Sequence, residues 1–253
     1  MSQGTIAFSS EKDFEDALVK KLTSKGWKEV IKNPDEDSLK DNFAKIVFQH
    51  NQQSSRLNGV PLNDDELNQI ISAFNHKSPY EVNAHLLGGS VNIRRTNPKD
   101  TQNYGKNISL DIFFPKQIGE GNNVYQIARQ PILKKQENAL SERKGDLTLL
   151  INGLPLIHIE LKASGHSVEE GINQIEFYLK QGRFTGIFST VQLFVSMTPE
   201  DARYFSNPGA STRTINRKFT FSWADFNNQP KNDWQSISES FLAIPEAHRM
   251  IAY

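Results

Sequence analysis

The stretch KGDLTLLINGLPLIHIELK, residues 144–162, constrains this chain more than any other. Two apolar runs flank Asn152-Gly153, a pair that takes positive φ readily and favours a tight reversal between antiparallel strands. The register of the resulting hairpin follows from the period-two alternation of side chains. A loop of only Asn152 and Gly153 sets Asp146 opposite Ile159 and mixes polar with apolar groups on each side of the ribbon. One extra residue in the turn, as in a glycine-centred bulge, sets Asp146 opposite Glu160. Then Leu147, Leu149, Ile151, Ile157, Ile159 and Leu161 share one side, and Asp146, Thr148, His158, Glu160 and Lys162 share the other. The second register is therefore the expected one.

That register has a chemical consequence. Two opposed carboxylates at roughly 4 Å repel by about 4 kcal/mol at an effective dielectric near roughly 20, and a cation between them removes the repulsion. Oxygen donors suit Mg²⁺, with Mn²⁺ as a substitute, and such ions keep several waters for a phosphate to displace. Asp146 and Glu160 are the expected metal ligands, and the backbone carbonyl of Ile159 or Leu161 can add another. Lys162, two residues beyond Glu160 on the same side, can orient or activate an attacking water, which is the arrangement of a metal-assisted phosphodiesterase. The plainer alternative is an exposed hairpin carrying a surface Glu/Lys pair.

Asp, a variable spacer and then Glu-x-Lys is also the pattern of the PD-(D/E)xK nucleases. RKGDLTLLINGLPLIHIELK resembles, more narrowly, the nuclease segment of the R subunit of type I restriction enzymes, where NGLPL lies between the first acid and the ExK strand. The chain departs from that pattern at Lys144-Gly145, where the family usually has Arg-Pro. The resemblance is tight over residues 144–178 and looser over 11–223. It implies a restriction-endonuclease-like α/β fold, a mixed central sheet flanked by helices, with an N-terminal helical layer. It also implies Mg²⁺-dependent cutting of unmodified double-stranded DNA. Modification and specificity subunits would be partners, and ATP would be consumed by the protein's own C-terminal motor domains. A repair or recombination nuclease of the same fold is one alternative, and a non-catalytic DNA-binding or docking module another.

Two further sets of residues gain meaning from the resemblance. Glu15, at the border of a helical stripe formed by Phe14, Ala17, Leu18 and Leu22, reads by spacing as a solvated flank. FEDALVKKLTSKGW, however, resembles the family setting in which a helical Glu lies near the active centre. A later helix begins at Ser167, capped reciprocally with Glu170, and sets Gln174, Tyr178 and Gln181 beside a core stripe of Val168, Ile172, Ile175 and Leu179. Spacing alone allows plain helix-to-sheet packing. Gln174 and Tyr178 match the Q-x-x-x-Y companion motif of the family, which implies that they position metal ligands or DNA.

Composition bounds the rest. With 253 residues, 37% hydrophobic and 23% charged, the chain is long enough for a sizeable core. The absence of cysteine excludes disulfides and thiolate metal sites, and the six histidines form no HExxH. No membrane-spanning run or leader is recognisable, so a cytoplasmic protein with no membrane contact is expected. The balance of 29 basic and 29 acidic residues argues against a tight stand-alone DNA binder. Local basic clusters occur at Arg94-Arg95, Lys134-Lys135, Arg143-Lys144 and Arg213 with Arg217-Lys218, and one or two of them are expected to meet phosphate.

Along the chain, helices are expected from Ser10 to about Lys25, through residues 38–75 with a break at 57–61, and from Ser78-Pro79 to Leu87. Strands are expected at 91–93, 108–114, 124–127, 191–196 and 214–223. Asp111 reads as a structural acid. The expected organisation is a nuclease domain over 1–233, with the helical layer inserted at about 38–87, and the start of a helical linker at 234–253. The apolar tail FLAIPEAHRMIAY is expected to expose its stripe unless a further domain covers it. No GxxxxGK[ST] loop is present, so the motor is not within these residues, which read as an N-terminal fragment of a longer protein.

Overall fold

The computed structural model describes residues 7–75, 77–133, 142–209, 212 and 214–252. Helix α1 spans Glu11–Ser24, with Ser10 as its cap. It leads into strand β1, Glu29–Lys32, which carries no strong sequence signal. The helical layer follows: α2 at Glu36–His50, α3 at Asp64–Ser72 and α4 at Pro79–Gly88. Asn63 and Ser78 form reciprocal capping boxes with Glu66 and Glu81, and Gly89 closes α4 at a φ of 74°. Strands β2, Ser90–Arg94, and β3, Asn107–Asp111, pair as a separate antiparallel ribbon against this layer.

The main sheet takes β4, Tyr125–Arg129, then β7, Leu147–Ile151, and β8, Leu154–Leu161. A short ribbon of β5, Ile132–Leu133, and β6, Arg143–Lys144, lies between β4 and β7. Helix α5, Val168–Lys180, precedes β9, Leu193–Met197, and β10, Ala202–Ser206. The strand order is β1-β4-β7-β8-β9-β10. β1 with β4 and β8 with β9 run parallel, and the other neighbours antiparallel, so the sheet is mixed as expected. Every residue of β7, β8 and β9 is buried, because both faces are covered. Arg129, Leu147 and Ile159 share one row, and Arg129 meets Glu15 of α1 there. Glu160 and Ser196 share the next row, and the Ser196 hydroxyl donates to the Val168 carbonyl of α5 at 2.6 Å. Helices α1 and α5 thus lie on opposite faces.

The hairpin register near Asp146 is the expected one, but the extra residue sits elsewhere. Ile151 pairs with Leu154, so the turn holds only Asn152 and Gly153, at φ of 54° and 81°. The offset enters one step later: Leu150 pairs with Pro155 but Leu149 with Ile157, leaving Leu156 as the bulged residue. Pro155 has no N–H to give to a ladder, so the interruption falls beside it. The turn itself is fixed by tertiary contacts. Asn152 accepts from Val124 N at 2.8 Å and donates to Asn123 Oδ1 at 2.9 Å. A Cβ at Gly153 would stand 2.8 Å from the Phe43 Cα of α2.

Two further expectations are corrected. Residues 214–223 do not form a sheet strand: they contain a 3-10 turn at Arg217–Phe219 and a single bridge from Phe221 to Tyr204. Arg217 is tied to α5 through Glu169, Glu176 and Asn173, which holds this segment across the helix. The sixth strand of the sheet is instead β10, Ala202–Ser206, which pairs with β9. The apolar tail is not exposed either. Helices α6, Trp234–Glu239, and α7, Ile244–Ala252, fold back onto the core. Phe8, Phe14 and Trp234 form an aromatic cluster, and Trp27 Nε1 donates to the Leu242 carbonyl at 2.8 Å. His248 stacks on Phe113 at 4.9 Å.

Candidate active site

Asp146 lies in the bend just before β7, and Glu160 near the end of β8. The bend is held from three sides. Gln130 N donates to the Asp146 carbonyl at 2.7 Å, Gly145 N to the Pro131 carbonyl at 3.1 Å, and the Tyr178 hydroxyl of α5 to the Lys144 carbonyl at 3.2 Å. Asp146 Oδ2 accepts from Leu161 N at 2.7 Å, which aims the side chain across the hairpin at Glu160. The two carboxyl groups are close enough to perturb each other's ionisation. Burial raises both above the ordinary carboxylate range, and the charge on Glu160 raises Asp146 further.

Beneath Glu160 a chain of buried polar groups runs into the sheet. His158 Nε2 meets Glu160 Oε1 at 2.8 Å, and His158 Nδ1 meets Thr148 Oγ1 at 2.9 Å. All three side chains are fully buried, and burial pushes His158 down to about 4. Glu160 Oε2 is buried without a hydrogen-bond partner among the described residues. A buried carboxylate oxygen lacking any donor is costly unless a cation meets it.

Lys162 comes to the same end of the sheet, close enough that its charge opposes the upward shift of both acids. Its ammonium donates to the Leu161 carbonyl at 2.9 Å and to Glu11 Oε1 of α1 at 3.0 Å. Glu11, in the first turn of α1, was not singled out by the sequence, where it reads as ordinary compensation of the helix dipole. Gln174 Nε2 donates to the Tyr178 hydroxyl at 2.8 Å. Burial, and then the Glu160 charge, raise the Tyr178 phenol above its usual range. Gln174 and Tyr178 therefore stand beside the acidic pair, on the α5 face.

Glu15 is placed differently. It is buried on the α1 face, paired with Arg129 and accepting from Gln130 Nε2 at 3.2 Å. Its link to the pair is indirect, through the Gln130 backbone that holds Asp146. Asp111 pairs with Arg56, as a structural acid should. Among the basic clusters, Arg95 is excluded from phosphate contact: it is fully buried and meets Glu66 at 2.6 Å and Asp100 at 2.9 Å. Lys134, Lys135 and Arg213 lie outside the described residues. Arg143 and Lys144 are exposed beside Asp146, with Arg143 over the Phe177 ring at 5.8 Å.

The departure at Gly145 also has a physical reason. A Cβ there would stand 2.4 Å from His158 Cε1 and 3.3 Å from Glu160 Oε1. With a histidine under the acidic pair, position 145 has no room for a side chain. Gly171 is required similarly, since its Cβ would stand 2.2 Å from Ser196 Oγ.

An acid at a bend, an acid and a lysine two residues apart on the adjoining strand, and a mixed sheet between helices define a restriction-endonuclease-like domain. Residues 8–213 match the family model described as type I restriction enzyme R protein N terminus, and the chain belongs to that family. It is 30% identical over 247 residues to an endonuclease subunit of a type I restriction enzyme from Staphylococcus aureus strain COL, covering 98% of this chain and 24% of that protein. A corresponding subunit from Staphylococcus saprophyticus is 31% identical over 248 residues, again covering 98% and 24%. The EcoprrI endonuclease subunit from Escherichia coli is 27% identical over 249 residues, covering 94% of this chain and 71% of that protein. The chain thus spans about a quarter of the length of the staphylococcal relatives. Among the described residues, no helix is long and apolar enough to cross a membrane.

Proposed function

We propose that this chain is the endonuclease part of a type I restriction R subunit, acting on unmodified double-stranded DNA with Mg²⁺ or Mn²⁺. The observation that carries the reading is half-buried Asp146 beside fully buried Glu160, whose Oε2 has no hydrogen-bond partner among the described residues, with Lys162 at the same end of the sheet. No group of three or more His, Cys, Asp or Glu side chains suited to a metal occurs among the described residues. The pair offers hard oxygen donors, and an ion with one or two carboxylate ligands keeps the rest of its shell for water and phosphate, as Mg²⁺ does. When bound, the metal supplies positive charge for the phosphodiester and lowers the pKa of a coordinated water.

The residues of the chain divide the remaining work. Asp146 and Glu160 hold the ion, and the Leu161 N–H and His158 each occupy one oxygen and leave the other for it. The Leu161 carbonyl, beyond the end of the β7 ladder and paired only with Met197 of β9, is better placed as an additional donor than that of Ile159, which pairs with both Leu147 and Val195. Lys162, an ammonium anchored by the Leu161 carbonyl and Glu11, would hold the attacking water in line. Gln174 and Tyr178 keep the bend before Asp146 in place, and Glu15 steadies Arg129 and Gln130 behind it. Arg143 and Lys144 provide the phosphate contact. ATP, the modification and specificity subunits and the motor domains enter through the larger assembly, in the cytoplasm. The test is nicking of plasmid DNA by a reconstituted complex carrying Asp146→Ala or Lys162→Ala, with ATP hydrolysis followed in parallel. Cutting should be lost while ATP hydrolysis persists, and equal cutting by the variants would refute the reading.

A further inference from the structure

Behind the acidic pair stands the buried column Thr148–His158–Glu160, whose foot, Thr148, has no part in the proposed chemistry. Its geometry is directional. Glu160 Oε1 in the carboxylate form can only accept, so His158 Nε2 must carry the proton, and Nδ1 must then accept from the Thr148 hydroxyl, which is 2.9 Å away. A neutral imidazole satisfies both contacts in one tautomer only. The ring is enclosed: Phe184 and Phe194 stand edge-on to it at 5.2 and 6.1 Å, and Gly145 lies so near Cε1 that a Cβ there would stand 2.4 Å away. Thr148, His158 and Glu160 lie on one face of neighbouring strands, at 0% exposure each.

We propose that His158 is a positioning residue for Glu160, fixed in its tautomer by Thr148, so that Oε1 is occupied and Oε2 is presented to a divalent cation. A histidine retained for packing alone needs neither contact, and an apolar side chain would fill the same space without desolvating a second polar group. Groups that hold metal ligands from behind typically change metal affinity by about 10–100-fold when removed. Glycine at position 145 belongs to the same device, since it clears the space the ring occupies.

The inference rests on the metal-site reading above, and the test separates the two. Mn²⁺ is titrated into the full chain and free Mn²⁺ is followed by electron paramagnetic resonance. Thermal unfolding without metal is recorded for every variant. Asp146→Asn should abolish binding. His158→Leu should weaken it by about tenfold or more, and Thr148→Val should weaken it by at least about threefold. His158→Gln, whose amide can still donate to Glu160, should stay within about threefold of the original. Weakened binding with rescue by glutamine and unchanged unfolding supports the positioning role. If His158→Leu does not fold, Thr148→Val decides by the same criterion. Original affinity in both His158→Leu and Thr148→Val overturns the role of His158 alone. Binding that survives Asp146→Asn overturns the metal site, and the positioning role with it.

Discussion

Replacing Gly145 by alanine tests the crowded geometry behind the acidic pair. Gly145 does not have a positive φ, so its backbone accepts alanine and the effect must come from the added methyl. That methyl would stand 2.4 Å from His158 Cε1 and 3.1 Å from Nε2, where ordinary contact begins at 3.4 Å. The ring must move by about 1 Å, and Phe184 and Phe194 limit where it can go. Overpacking of this size costs about 1–3 kcal/mol. Breaking the hydrogen bond to Glu160 or Thr148 leaves a buried polar atom unsatisfied, which adds about 1 kcal/mol or more. The expected loss is therefore about 2–4 kcal/mol, read as a lower urea midpoint at unchanged slope. In a His158→Ala background the methyl enters vacated space, and the loss should fall below about 0.5 kcal/mol. An equal loss in both backgrounds, or almost none in the original chain, would refute the clash with the ring.

Three other outcomes follow from the same contacts. Arg95→Ala leaves Glu66 and Asp100 buried and unpaired, which should destabilise the chain by about 3–5 kcal/mol in urea unfolding without weakening DNA binding by the folded fraction. Glu15→Ala removes the charged partner of Arg129 and Gln130 and should lower stability by about 1.5–3 kcal/mol, checked by the same unfolding measurement. His248 is depressed by burial, so its folded form holds the proton less tightly than the unfolded chain. Its contribution to stability is fully present above its ordinary pKa of 6.5 and is lost as pH falls through the folded value. Urea midpoints of the original chain should therefore drop more steeply below about pH 6.5 than those of His248→Phe, and parallel curves would contradict this.

Much of this arrangement was legible in the chain because local signals agreed with one another. Asn152-Gly153 fixed the reversal, and the polar side of the hairpin brought Asp146 opposite Glu160. The Ser167 cap marked a helix that formed where expected. The failures have a common physical cause: contacts distant in sequence. The bulge settled at Leu156 because Pro155 interrupts the ladder there and the turn is seated on Phe43, and neither the seat nor its choice of offset is visible in alternation alone. The stretch 214–223 looks strand-like, yet Arg217 is pulled across α5 by Glu169 and Glu176. The C-terminal stripe looked exposed because its cover, from Trp27 to Phe113, lies far upstream. At the site, Glu11 resembled any acid at a helix start, and the histidine between two isoleucines resembled a polar filler. The departure at Gly145 was the available sign that something stands behind Glu160.

The central claim is that the end of the β7–β8 hairpin holds a divalent cation between Asp146 and Glu160. Anomalous scattering from crystals of the full chain soaked in Mn²⁺ tests it most directly. A peak at about 2.1 Å from an oxygen of each carboxylate, the distance of direct coordination, with Lys162 beside it and loss of the peak in Glu160→Gln, is the expected result. A bound ion elsewhere in the chain, or none at millimolar Mn²⁺, would contradict the account.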